Sequence, residues 1–248
     1  MLDSDSDKNP PPGLSAELQR LLQARHHDPF TLLGRHTLGD KEMVRVFLPQ
    51  VEWVRIVETG CSLQRVSDTD LFEWHGPAGS IPERYRLIWR DSHGAEHVAY
   101  DPYCFAHQLS DFDLHLFGEG RHWHVYRILG AHRRQVDGVY GVLFAVWAPS
   151  AERVSVVGDF NNWDGRMHPM RVRGGSGVWE LFSPGLGSGQ PYTYEIRTRH
   201  EGRISLKSDP YGQQCALRPA TATLRPEEDS YHWHDNDWMA ARPEADWH

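Results

Sequence analysis

Phe47-Leu48-Pro49, followed by Glu52-Trp53-Val54-Arg55-Ile56-Val57, recurs as Trp147-Ala148-Pro149, followed by Glu152-Arg153-Val154-Ser155-Val156-Val157, with identical internal spacing. Three further pairs keep the same order: Phe72-Glu73 with Trp179-Glu180, Tyr85-Arg86-Leu87 with Tyr194-Glu195-Ile196, and Asp101-Pro102-Tyr103 with Asp209-Pro210-Tyr211. Self-similarity at a period of roughly 100 residues means one supersecondary unit present twice. The repeated segments are short runs rich in Val, Ile, Phe, Trp and Tyr, divided by Pro, Gly, Asp and Asn, the pattern of an all-β sandwich. Strands are predicted over 43–48, 53–57, 71–74, 85–89, 143–147, 153–158, 178–182, 192–198 and 221–224. The expected architecture is all-β, two tandem immunoglobulin-like β-sandwiches preceded by a short helix.

That helix is read from Ser15, a capping residue, through Arg25, because Leu18, Leu21 and Leu22 fall at helical spacing. His26-His27-Asp28-Pro29 ends it, and no further helix is expected to matter. Residues 1–13 combine Asp, Ser, Asn and three consecutive prolines and are expected to stay disordered. The first sandwich with its helix is then assigned to 14–104 and the second to 131–225. A His- and Gly-rich connector over 105–130 is expected to be ordered by packing between the copies. The tail, 226–248, holds Trp233, Trp238 and Trp247 among acidic residues and reads as chain that lies on a neighbour.

Composition narrows the function. A chain of 248 residues with 39% hydrophobic content is long enough for two cores. A net charge of −8, with a single Lys after Lys41, argues against nucleic acid, which is bound through clustered cations. No apolar run approaches bilayer length and no basic leader precedes one, so neither a membrane nor secretion is expected and the location is read as cytoplasmic. Cys61, Cys104 and Cys215 are odd in number and widely spaced, which fits reduced thiols.

Sixteen histidines include His26-His27, His122-x-His124 and His232-x-His234, but none has the partner set of a zinc site, and surface histidines are the favoured reading. Asp111-x-Asp113 and Glu227-Glu228-Asp229 lie in the connector and the tail, where solvated carboxylates are expected in place of a glycosidase pair. No nucleophile elbow, phosphate loop or dinucleotide fingerprint occurs, so no catalytic residue and no cofactor is assigned. The strongest local signal is Val156-Val157-Gly158-Asp159-Phe160-Asn161-Asn162-Trp163-Asp164-Gly165. Its turn chemistry tolerates left-handed backbone and presents a Trp among amides. Trp163 could stack on the apolar face of a glucose ring while Asn161 and Asn162 bond its hydroxyls; it could equally fold back and plug the end of the sandwich. Exposure of the indole separates the two.

The stretch Asp137-Gly138-Val139-Tyr140-Gly141-Val142-Leu143-Phe144-Ala145-Val146-Trp147-Ala148-Pro149, with the 158–165 motif, Gly177-Val178-Trp179-Glu180-Leu181-Phe182 and Lys207-Ser208-Asp209-Pro210-Tyr211, resembles the family-48 carbohydrate-binding module of bacterial glycogen (1,4-α-glucan) branching enzymes. The first copy, with His27-Asp28-Pro29-Phe30-Thr31-Leu32-Leu33-Gly34, resembles the extra N-terminal domain of the longer members. The resemblance implies a non-catalytic part that serves α-glucan, whether glycogen or malto-oligosaccharides. It also implies a (β/α)₈ catalytic barrel as partner, carrying an Asp nucleophile and a Glu acid/base that the sequence stops before reaching. Trp163 then matches the sugar-stacking Trp of related modules. The resemblance places Glu195 where those modules have a Lys, and their second stacking Trp falls near Arg203-Ile204. The resemblance also leaves a structural scaffold for the barrel, with little sugar affinity, as the rival reading.

Overall fold

The computed structural model describes residues 14–187, 189–217, 220–224 and 234–242. The readings for 1–13 and for most of the tail, Trp233 and Trp247 included, lie outside the described residues.

Helix α1 (Ala16–Leu22) starts at Ser15, whose hydroxyl accepts the Leu18 amide, and buries Leu18 and Leu21; it closes at Gln23, short of Arg25. The first sandwich comprises β1 (Gly34–Leu38), β2 (Lys41–Phe47), β3 (Val51–Ile56), β4 (Ser62–Arg65), β5 (Leu71–Pro77), β6 (Arg86–Asp91) and β7 (Glu96–Tyr100). Its strands run β1-β2-β5-β4-β3-β6-β7 in one antiparallel sheet that folds over on itself at β4. Alternating residues of β2 and β3 meet inside: Val44, Val46, Val54 and Ile56 pack with Phe72, Tyr85 and Leu87. Leu18, Leu21 and Leu33 close the outer face over Phe47 and Leu71.

The second sandwich has β8 (Gly130–Val136), β9 (Val139–Trp147), β10 (Ala151–Gly158), β11 (Arg171–Val172), β12 (Val178–Pro184), β13 (Pro191–Thr198), β14 (Ile204–Lys207), β15 (Gln214–Cys215) and β16 (Thr223–Leu224). One sheet is ordered β11-β12-β9-β8; the other is β10-β13-β16-β15 with β14 on the far edge of β13. Val142, Phe144, Val154, Val156, Trp179 and Tyr194 form its inner core. Both sandwiches are immunoglobulin-like, and every strand expected from the sequence has a counterpart, although the edge strands β1, β7, β8 and β14 and the short strands β4, β11 and β15 were not foreseen. An edge strand is paired on one side only and carries little of the apolar alternation that marks a central one.

Residues 105–130 depart from the expectation in holding a helix. They contain α2 (Asp111–Gly118), which buries none of its residues. Its apolar side chains, Phe112, Leu114, Leu116 and Phe117, do not form one stripe, so no amphipathic period marks it in the sequence. The segment lies on the outer face of β9 and β12, where Phe105, Leu109, Ile128 and Leu129 pack against Leu143, Ala145, Val178 and Phe182.

This segment reproduces the opening of the first unit group by group. Ser15 and Ser110 each cap a helix. His26 Nε2 lies 2.9 Å from Glu17 Oε2, and His122 Nε2 2.9 Å from Asp113 Oδ1. His36 Nε2 reaches the Leu33 carbonyl at 3.0 Å, and His132 Nε2 the Leu129 carbonyl at 2.9 Å. Gly34 and Gly130 sit at φ 87° and 109°, each with a tyrosine, Tyr103 or Tyr211, against its Cα where a Cβ would intrude. The repeated Tyr and Asp also find each other: Tyr85 donates to Asp101 and Tyr194 to Asp209. The duplication therefore spans helix, turn and sandwich together.

The two units are joined through side chains as well as chain. Val172 N donates to the His27 carbonyl at 3.2 Å, Arg25 pairs with Glu152 and Arg84 with Asp137, and the Arg171 guanidinium lies 3.7 Å above the Phe30 ring. Arg171 also meets Glu180, which is fully buried. Its carboxylate takes Arg171 Nε at 3.1 Å, Arg173 Nη1 at 3.3 Å and the amides of Gln108 and Leu109 at 3.1 and 2.9 Å. Glu180→Ala strips the buried carboxylate from two amides and two guanidiniums, which keep only Asp111 and the Phe105 and Leu109 carbonyls, and should cost about 3 kcal/mol in urea unfolding. Glu73→Ala at the matching position of the first unit, where the carboxylate is partly solvated, should cost clearly less.

Candidate functional site

The two units differ most between their third and fourth strands of the repeat. Five residues connect β3 to β4, whereas twelve connect β10 to β11, and the added length is the segment that carries Trp163. Gly158 ends β10, Asp159–Asn161 make one 3-10 turn, and Asn162 and Trp163 follow with φ 53° and 60°. Left-handed backbone at two successive non-glycine residues costs roughly 1–2 kcal/mol each, and for a bulky Trp it marks a segment held by its surroundings. The left-handed positions are thus Asn162 and Trp163. Gly165 serves close packing instead, because a Cβ there would lie 2.0 Å from Glu195 Oε1.

Three sets of bonds hold the loop. Trp163 N donates to the Gly158 carbonyl at 3.0 Å and Asp164 N to the Asn161 carbonyl at 3.0 Å. Trp163 Nε1 donates to Asp159 Oδ1 at 2.8 Å, which fixes the plane of the indole. Underneath, Arg153 Nη1 donates to the Gly165 carbonyl at 2.6 Å while Nη2 pairs with Glu195. Asp164 is held below the usual carboxylate range by Arg166, whose guanidinium and amide outweigh the opposing effect of burial.

Trp163 is 39% exposed, so it does not plug the core; Phe160 fills that place beside Phe144. Asn162 is exposed next to it. Asn161, expected to face sugar hydroxyls, is 2% exposed. Its Oδ1 takes the Gly158 amide at 3.0 Å, and its Nδ2 gives to the Val156 carbonyl at 2.9 Å. With both ends of the amide committed, Asn161 shapes the loop and has nothing left to offer a ligand. Two adjacent asparagines are alike as sequence; only the turn decides which one faces inward. Glu195, which the resemblance set at a lysine position, is turned down under Gly165 onto Arg153. Arg203 and Ile204, where a second stacking ring was sought, lie at the exposed start of β14, and Leu206 on the same strand is also exposed.

Other exposed rings lie away from this loop. Trp147, at the end of β9, is 54% exposed, with Phe117 of α2 against its edge at 6.0 Å. Its counterpart in the first unit, Phe47, is 8% exposed under the leucines of α1. Trp123 and Phe112 are open to solvent nearby in sequence, and Trp238 is exposed in the short helix Asn236–Ala241. Among the described residues no group of His, Cys, Asp and Glu is arranged to hold a metal ion, and no helix is long and apolar enough to cross a membrane.

Residues 128–212 match the model of carbohydrate-binding module 48 (isoamylase N-terminal domain), and residues 14–103 that of the alpha-1,4-glucan branching enzyme GlgB N-terminal domain. The 1,4-alpha-glucan branching enzyme GlgB of Methylococcus capsulatus is 55% identical over 94% of this chain and 32% of its own length. That of Nitrosococcus oceani is 53% identical over 94% and 31%. The chain therefore spans about a third of the length of these curated relatives. A crystal structure of pullulanase type I from Bacillus subtilis complexed with maltose is similar at 17% identity and a TM-score of 0.36, covering 81% of this chain and 27% of that one, too distant to bear on the site.

The loop also sets a pH dependence. His168 Nδ1 faces Asn161 Nδ2 at 3.0 Å; since that amide nitrogen is a donor, the imidazole accepts and must be neutral. Burial pulls its pKa from 6.5 down to about 4. The unfolded chain therefore takes up a proton here below pH 6.5 that the folded chain refuses until about pH 4. Stability from this group is complete above 6.5 and is lost between 6.5 and 4, by on the order of 3 kcal/mol. Thermal unfolding across that range should show His168→Gln with a shallower acid-side decline than the parent.

Proposed function

We propose, from the premise that this chain belongs to the family of 1,4-alpha-glucan branching enzymes as its N-terminal part, that it is a non-catalytic α-glucan-binding region acting in glycogen synthesis. In this reading it holds α-1,4-glucan chains, as glycogen or malto-oligosaccharides, for transfer by a (β/α)₈ barrel that follows in the longer relatives. The observation that carries the reading is Trp163: an indole exposed on one side, fixed through its N–H by Asp159 and flanked by the free amide of Asn162. A flat apolar ring held rigid beside hydrogen-bonding groups suits the face of a pyranose, whose C–H groups stack while its hydroxyls bond outward. The ring does not have to be ordered when ligand arrives, so little binding energy is spent on it. Asn161 takes no direct part and Asn162 supplies the amide. Glycosyl transfer itself, the cytoplasm as its site and the barrel as partner belong to this proposal.

A second reading has its own support. The edge contact of exposed Trp147 with Phe117 of α2 is an apolar surface where the equivalent part of the first unit is covered. It suits a docking surface for the barrel, so that the chain serves as scaffold. The two functions use different faces and are compatible.

Native electrophoresis in gels containing glycogen separates them. The chain should be retarded relative to a non-binding protein of similar charge, and Trp163→Ala should abolish the retardation while Trp147→Ala leaves it. Migration of the parent with the control protein would leave the scaffold as the function.

A further inference from the structure

The left-handed backbone at Asn162 and Trp163 would relax if the loop were tied only at its beginning, where Asn161 and the Gly158 carbonyl hold it. Its far end is tied through the sheet. Arg153, on β10, has a side chain 2% exposed; its Nη1 donates to the Gly165 carbonyl at 2.6 Å and to Ser155 Oγ, and its Nη2 pairs with Glu195 Oε1. Glu195, on β13 directly opposite Ser155, presses its carboxylate against the bare Cα of Gly165. Trp163 therefore stands between two anchored ends, and the second anchor is an ion pair set into the outer face of the sheet.

Such a pair is a poor stabiliser. The cost of stripping two charges of water consumes most of their attraction, and apolar side chains of equal volume commonly hold a fold as well. What apolar side chains cannot do is bond a carbonyl. We infer that Arg153 and Glu195 are positioning residues for ligand binding: Glu195 orients the guanidinium, the guanidinium fixes the Gly165 carbonyl, and the carbonyl fixes the angle at which Trp163 meets a sugar ring. This rests on the reading of Trp163 as the sugar-stacking platform. Neither residue touches the ligand; both act through the loop, and their contribution is to affinity more than to stability.

The test compares stability with affinity in the 248-residue chain, using urea unfolding and calorimetric titration with maltoheptaose. Replacing both partners, Arg153→Met with Glu195→Met, removes the charges without leaving one buried alone. The expected result is a denaturation midpoint close to that of the parent with affinity weakened about tenfold or more. A purely structural pair predicts the opposite, binding that follows stability and returns with it. Glu195→Gln keeps shape and one acceptor; it should fold, bind several-fold more weakly, and decide the matter if the double variant does not fold. Parental affinity in either variant, alongside a loss in Trp163→Ala, would overturn the positioning role and leave the platform standing. Parental affinity in Trp163→Ala would overturn both.

Discussion

Each sandwich is closed by one buried carboxylate. Asp101 accepts the Tyr85 hydroxyl and the Tyr103 amide, and Tyr103 then lies against Gly34, where β1 begins. Asp209 does the same with Tyr192, Tyr194 and the Tyr211 amide, and Tyr211 lies against Gly130 at the start of β8. Burial raises both acids, Asp101 to about 6, against the pull of their tyrosine and amide donors. The turn after the seventh strand of each unit is thereby fastened to its first strand, so helix, turn and sandwich close as one body. Everything placed on the frame, including the Trp163 loop, takes its position from that closure.

The frame is used twice, to different ends. In the first unit a tight turn joins β3 to β4, and α1 shields the outer face. In the second, the longer loop crosses the outer face of β10 and β13 with a Trp at its crest, and the covering segment leaves Trp147 open. Binding capacity and docking capacity are grafted onto a repeated scaffold by loop length and by how tightly a helix is seated. The contacts between units, Arg171 between Phe30 and Glu180 above all, fix the loop of the second unit relative to the first.

The central strands were legible in the sequence because a sandwich imposes a period of two on residues with one buried face, and the duplication doubled the signal. The helix α2 was illegible because its apolar side chains form no single stripe, the strands β1, β7, β8 and β14 because half their pairing is missing, and β4, β11 and β15 because runs of two to four residues are too short to show a period. At the site, the placing of a Trp in a turn was readable from the turn chemistry of 158–165, but its exposure was not. The division of labour between Asn161 and Asn162 was not, nor was the role of Arg153, whose partners Gly165 and Glu195 are 12 and 42 residues away.

By itself, then, the sequence determined the repeated all-β units, their helix cap at Ser15 and the position of the Trp163 turn, since each depends on neighbours in the chain or on a periodic exchange of apolar and polar residues. Only the tertiary structure decided which indole is exposed, which asparagine is spent on the turn, and that residues 105–129 pack on the outer face of β9 and β12. Those outcomes depend on contacts across sheets, and pairings between residues far apart in the chain have no local signature.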